Sequence, residues 1–484
     1  MKKIIIFLVS ILSINLYSDQ LDFNTFIELI KQKLPDFKKS EINVAKAENN
    51  IKKENSINDI SLSISGAGFG KSPFTDQGDT YIDFSSGFTG SAGLSNVFAS
   101  GTRLYGGVEY TQVHSWGSLK KNEQPMSFDG VFTADSYDPV IKITIAQPLL
   151  YNWFGFLDRF GKKDALKALA IEKMKKELSD DAYMLVYQKL YFTWIQLKLN
   201  GSVLIKTIEN AKTLEQQTLQ KVKNGVAEND DYERVRYMLL QYNQANSKIL
   251  QNEKMIIREF SQYINSENLE PNTEEFEIFF QNALSNDYKF EDFDKTKTSA
   301  LLNVSKERLN ELEKVYKNMN MPQLNLFGML DVKFHKYYSD INPDGYDNIY
   351  NTRENYGKVD FTAGLELKHP LGDTKNKALI AENKLLLDEI TNEYTKTRNN
   401  YEKNKDLIEI QLNTIKENIN YVNDKIKSLQ SRYETEKKKY SQVRTDTYSL
   451  IDTDNSITIE QTNLLSLKND LISLYLEYLN FVKQ

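Results

Sequence analysis

Three histidines, His114, His335 and His369, are the residues best suited by type to acid–base work or metal ligation. All three lie in or beside strand-like stretches, and their spacing is not that of a metal motif. His369 stands at the end of such a stretch, just before Pro370, where an interface residue is the simpler expectation. Cysteine is absent, which removes thiolate nucleophiles, thiolate metal sites, disulfides and a lipid-bearing N-terminal cysteine. No glycine-rich phosphate loop follows a strand. The many acids in helical stretches pattern as solvated faces. No enzyme, metal or cofactor is expected from these residues. Any specific chemistry must be that of charge, of surface and of the elements that present them.

The formal charge is −6. Residues 1–18 carry no acid, so losing Lys2 and Lys3 would take it from −6 to −8. Mild acidity argues against a nucleic-acid partner. The opening MKKIIIFLVSILSINLYS has two lysines, an apolar run and a small residue at Ser18, the pattern of a secretory signal over 1–18. No later stretch approaches twenty apolar residues, so no further membrane helix is expected. An exported chain can still enter a membrane as a β-barrel, whose strands are much weaker signals.

Glycine and proline divide the rest. Between Gly161 and Gly328 only Gly201 and Gly225 occur, and none follows Gly372. Helix interiors exclude both residue types. The order expected is therefore helix, strands, long helices, strands, long helices. In DPVIKITIAQPLL (138–150), Ile141, Ile143 and Ile145 alternate with Lys142 and Thr144 before Pro148. In VDFTAGLELKHPLG (359–372), Phe361, Ala363, Leu365 and Leu367 alternate with polar residues before Pro370. Proline withholds the next ladder donor, so each marks a strand-to-helix turn. The helices carry seven-residue stripes, Ile171–Leu178–Leu185–Phe192–Leu199 and Leu450–Ile457–Leu464–Leu471–Tyr478, the habit of a coiled coil. From Pro148 to Gly225 is 77 residues and from Pro370 to Val443 is 73. Helical arms of that length would each run about 110 Å, long enough for a tube or stalk.

The two halves superimpose as an internal duplication. The first repeat, 19–285, holds a helix, strands at about 59–147, a helical hairpin at about 150–262 and a polar linker over 262–285. The second, 286–484, holds a helix, strands at about 322–369 and a hairpin at about 371–481. Two strands per repeat make four per chain. About forty extra residues between the first pair are expected as an enlarged extracellular hairpin. Four strands cannot close a barrel, and lipid does not tolerate open edges, so several chains must share one. Tyr151, Trp153, Phe154 and Phe156 follow Pro148, where an aromatic girdle would meet the lipid–water boundary.

Taken in order, the signal, the duplicated plan, the step Gln147-Pro148-Leu149-Leu150 and the bends NGVAENDDY and YSQVRTDTYSLID resemble the TolC family of outer-membrane channel proteins. The resemblance covers nearly the whole mature chain. It implies a mixed α and β membrane protein: long coiled-coil hairpins in the periplasm, and four strands from each of three copies closing a twelve-stranded outer-membrane barrel. It implies a passive duct in multidrug efflux or type I secretion. The partners would be a periplasmic adaptor and an inner-membrane transporter. On the family's tip, the second acid of its ring falls on Asp452 and the first on Ser449. The tyrosine and aspartate that link the hairpins in the closed state fall on Tyr440 and Asp231. The docking bends fall on Gly225, Val226 and Ala227, and on Val443, Arg444 and Thr445, where the family's glycine and arginine are replaced by Val443 and Thr445. A secreted coiled-coil stalk explains the heptads and the signal, but not amphipathic strands recurring before a proline.

Overall fold

The computed structural model describes residues 20–71, 80–119, 130–264, 269–343, 350–369, 372–442 and 447–483. The expected signal at 1–18 lies outside the described residues, as do Pro370, Val443, Arg444 and Thr445. In chain order the elements are α1 (Phe23–Lys33), α2 (Pro35–Asn55), β1 (Ser61–Lys71), β2 (Thr80–Val97), β3 (Arg103–Leu119), β4 (Gly130–Pro148), α3 (Phe156–Lys223) and α4 (Asn229–Ser261). There follow α5 (Glu274–Ser285), α6 (Lys297–Met319), β5 (Gln323–Pro343), β6 (Tyr350–Lys368), α7 (Thr374–Ser441) and α8 (Thr447–Lys483). Among the described residues no helix is long and apolar enough to cross a membrane.

The chain divides into two compact units. One comprises 45–171 and 303–392 and contains the whole sheet. Its six strands run antiparallel in sequence order, β1 to β6, each hydrogen-bonded to the next. The expectation of four strands per chain is therefore corrected to six among the described residues. The extra residues of the first repeat are not a hairpin outside the sheet. They are β2 and β3, 18 and 17 residues long, paired with each other along nearly their whole length. Their alternation is hard to see because glycine and serine take so many positions. Aromatic rings cover the bare backbone instead: Tyr105 lies over Gly93 and Gly107, and Phe69 over Gly87. In the same unit Arg308 of α6 forks onto Asp164 of α3 at 2.6 and 2.8 Å. Asn383 of α7 donates to the Leu309 carbonyl at 3.0 Å.

The other unit holds the aromatic core. Phe26, Tyr191, Phe192, Trp194, Phe260, Phe276 and Leu471 are fully enclosed. The helix expected at the start is broken by Pro35, which opens α2 after Leu34 has capped α1 through Ile30. The segment expected as a linker contains α5, whose Phe276 and Phe280 point four residues apart into this core. The Tyr191 hydroxyl donates toward the Leu21 carbonyl and Glu275, both at 2.7 Å. Burial and the Glu275 carboxylate push the Tyr191 phenol well above its ordinary range. It stays neutral and serves as a structural tie.

Candidate functional site

The sheet has two chemically different faces. Residues directly opposite each other share a face, so Ile64, Ala92, Val108, Ile141, Val332 and Val359 form one row across all six strands. The next rows toward the helices add Leu62, Leu94, Ile143, Leu330 and Phe361. Most of these side chains are uncovered: Ile64 is 75% and Phe361 73% exposed, while Leu330 and Val332 are half-buried. So much bare aliphatic surface cannot be left to water. Adjacent rows on the opposite face are polar. Ser63, Lys142, Asp331 and Asp360 occupy one, and Ser65, Ser91, Glu109, Lys333 and Lys358 the other, where Val140 is the one apolar member. Glu109 holds Lys142 at 3.0 Å, and Asp360 takes Lys333 and Lys358 at 2.9 Å each. Among the described residues the two outermost strands, β1 and β6, each pair on one side only.

At the end of β4 the Gln147-Pro148 step has a definite job. Gln147 receives the Thr102 hydroxyl and donates to the Ser100 carbonyl at 3.2 Å, fastening the β2–β3 turn to the strand-to-helix junction. Gly101 and Gly155, both at positive φ, meet there, and a Cβ on Gly155 would lie 2.2 Å from the Ala99 carbonyl oxygen. Asn152 stops the strand in a left-handed conformation (φ 59°). Its side-chain oxygen accepts the Leu157 N–H at 2.7 Å, satisfying an orphan donor at the start of α3. Phe154 is also left-handed, at φ 45°, a conformation that costs a bulky residue about 1–3 kcal/mol.

The helical tip is built from caps and cross-links. Gly225, at φ 70°, ends α3 in a Schellman motif: Val226 N–H bonds the Lys221 carbonyl at 2.9 Å and Gly225 N–H the Val222 carbonyl at 3.0 Å. Val226 is exposed and Ala227 half-buried beside it. Asp231 serves the next helix, completing a capping box with Glu228 at the start of α4. Tyr440 is buried at the end of α7. Its hydroxyl lies 3.3 Å from the Thr218 hydroxyl, and the Lys221 ammonium sits 3.2 Å above its ring. Tyr440 and Asp231 thus have different partners: the tyrosine ties α7 to α3 through Thr218 and Lys221, while the aspartate is spent locally. Ser449 is half-buried in the first turns of α8, its carbonyl accepting Thr453 at 2.9 Å. Asp452 is exposed and lines a groove of about 500 Å³ with Asp230, Arg234, Tyr237 and Tyr448.

Two features of the tip were not drawn from the sequence. Thr453 donates to Glu436 at 2.6 Å, and Arg432 to the same carboxylate at 2.7 Å, closing α8 on α7. Asp454, which patterns as a solvated acid, faces a cavity of about 140 Å³ bordered by Leu214 and Gln217 of α3 and Tyr433, Lys437 and Tyr440 of α7. Burial pushes its carboxyl up to about 6, with Lys437 opposing. The signal was there: Asp454 stands four residues after buried Leu450, hence on the same helix face.

No protein-family model matches the sequence, and no curated protein does. Solved structures do. The outer membrane protein VceC of Vibrio cholerae is 10% identical with a TM-score of 0.61, covering 95% of this chain and 95% of that one. The Campylobacter jejuni CmeC outer membrane channel is 12% identical with a TM-score of 0.61, covering 95% and 85%. The open state of the Neisseria gonorrhoeae MtrE outer membrane channel gives 10% identity and 0.59, covering 95% and 88%. The likeness is one of fold: this chain has the fold of these outer-membrane channel proteins, as the resemblance to the TolC family led one to expect.

Proposed function

We propose that the chain is the subunit of an outer-membrane duct. Three copies join their sheets edge to edge, β1 of one to β6 of the next, and their helical hairpins form a periplasmic tunnel. The observation that carries this reading is the six-stranded sheet. It has one bare aliphatic face, one charged and hydroxylated face and two open edges, and only a closed barrel in lipid uses all three. With six strands from each copy the barrel has eighteen strands, in the range that encloses an aqueous channel rather than a packed core. The polar rows of Lys142, Asp331 and Asp360 then line the lumen. The tip, with Tyr440 tied to Thr218 and Lys221 and with Asp452 exposed, is the gated end. An adaptor and an inner-membrane transporter would engage it for efflux or type I secretion.

Planar-bilayer recording of the detergent-extracted protein tests this. Discrete conductance steps, small while the tip is closed, are expected. A folded protein that stays dispersed without detergent and never inserts would sink the duct and favour a coiled-coil stalk.

A further inference from the structure

Just past the apolar face of β4, the chain presents a second kind of surface. Trp153 and Phe154 stand 56% and 58% exposed on the strained turn, their ring centroids 5.7 Å apart. Nothing in the turn covers them, yet its backbone is tightly fixed by Asn152 and by Gly155 against Ala99 and Gly101. Leu149 and Tyr151 keep the turn on the sheet, donating to the Leu324 and Pro322 carbonyls at 2.7 and 3.3 Å. A costly conformation held by rigid neighbours, with two rings turned outward, marks a contact surface. Two residues on, between α3 and α6, lies a cavity of about 280 Å³ lined by Phe156, Arg159, Phe160, Lys163, Glu311 and Lys314. Lys163 and Lys167 reach Glu311 Oε1 at 2.7 and 3.3 Å and hold its carboxyl below the ordinary range, their two charges offsetting its one, while Oε2 is buried without a hydrogen-bond partner among the described residues. Arg159 and Lys314 have no carboxylate partner among the described residues. The cavity is therefore aromatic-walled and net cationic, and its lining begins two residues past the exposed Trp153–Phe154 pair.

We infer that this cavity binds the phosphate headgroup of an anionic phospholipid in the periplasm-facing leaflet, with Trp153 and Phe154 seated among the neighbouring acyl chains. The inference rests on the outer-membrane reading for its location. Charge complementarity selects the ligand: two unpaired cations recognise a phosphodiester that carries net charge and not one neutralised by its own choline. The aromatic pair fixes depth, because amphipathic rings settle at the headgroup level. The site would thus hold each subunit at one height in the bilayer, without any acyl group on the protein.

Native mass spectrometry of the detergent-extracted protein, offered equimolar phosphatidylglycerol and phosphatidylcholine, provides the test. Phosphatidylglycerol should be retained in preference. Arg159→Gln and Lys314→Gln should each cut that retention about five-fold, the worth of one cation near an anionic headgroup. Phe154→Gly, which relieves the strained backbone, should weaken retention of both lipids without lowering stability. Equal retention of the two lipids, or retention unchanged in the double glutamine variant, overturns the site. Glycerol 3-phosphate binding as tightly as the lipid would also overturn it, assigning the cavity to a free phosphate ester. Because the lipids are offered in micelles, the result stands apart from channel formation. A protein that prefers phosphatidylglycerol but never conducts would keep this site and lose the duct.

Discussion

Asp454 lies on α8 where α3 and α7 close over it, and the groups facing it decide its proton. From α7 come the Lys437 ammonium and the Tyr433 phenol, which burial pushes up to about 12, and from α4 the Tyr242 phenol, raised in part by Asp454 itself. Desolvation outweighs Lys437, so the folded protein holds this proton more tightly than the unfolded chain does. Stability is then fullest below about pH 4, falls as the pH rises from about 4 to 6, and carries the whole penalty above that. A displacement of that size is worth at most about 3 kcal/mol, and about 1–2 kcal/mol once solvent reaching the half-buried carboxylate is allowed for. Asp454→Asn should therefore raise the hydrogen-exchange protection of α8 around 450–458 at pH 7 and flatten its change between pH 4 and 6. Protection that falls in the variant would show the carboxylate to be stabilising. The two acids of this turn also show what single residues disclose. Asp452 and Asp454 look alike in sequence, and only the position of Leu450 separates the exposed one from the enclosed one. The resemblance matched Tyr440 with Asp231, whereas its neighbours are Thr218 and Lys221, which no local spacing marks because they come from a helix more than two hundred residues away.

Two glycines with the same backbone test how elements are joined. Gly155 and Gly225 both have φ 70°, yet a Cβ meets nothing within 4 Å at Gly225 and backbone at 2.2 Å at Gly155. Gly225→Ala should cost about 1 kcal/mol, the conformational term of a helix C-cap. Gly155→Ala adds a backbone collision that no rotamer relieves, and should cost about 2–4 kcal/mol. Thermal unfolding of the two variants in one detergent checks the order, and equal midpoints would mean that the β2–β3 turn is not locked to the junction. Elements were legible in proportion to their periodicity. The seven-residue stripes gave α3 and α8, whose Phe192 and Leu471 are fully buried. Alternation gave β4, β5 and β6. Over β2 the strand-like character of TYIDFSSGFTGSAGL was visible but its place in the main sheet was not, because SSGFTGSAG has few apolar side chains to alternate and its outward face is made by Phe88 lying over Gly66 and Gly90. The aromatic cover is a tertiary fact and leaves no mark at fixed spacing.

At the scale of the whole molecule the strand count decides how wide the proposed duct would be. Four strands per copy close a narrower barrel than six, although each chain contributes the same two long hairpins in either case. The absence of cysteine makes the edges testable directly, since every thiol is an introduced one. Ile64 on β1 faces outward, as do Val359, Phe361, Ala363, Leu365 and Leu367 on β6. Closing the proposed barrel would stagger the strands, so the partner of Ile64 would be displaced along β6 by a fixed register, but side-chain alternation would keep it on this same face. Ile64→Cys combined in turn with a cysteine at each of the five β6 positions should cross-link at one position or two adjacent ones. The products should form a ladder that stops at three chains. If β2 and β3 stood outside the wall, β1 would instead join β4 within one chain. Ile64→Cys with Ile141→Cys would then give an intramolecular bridge and no ladder. In the six-stranded sheet those two residues are separated by the whole of β2 and β3, so that bridge cannot form. A β1-to-β6 ladder establishes eighteen strands and a lumen lined by hydroxyls from β1 and β2 and by the paired charges of β3 to β6.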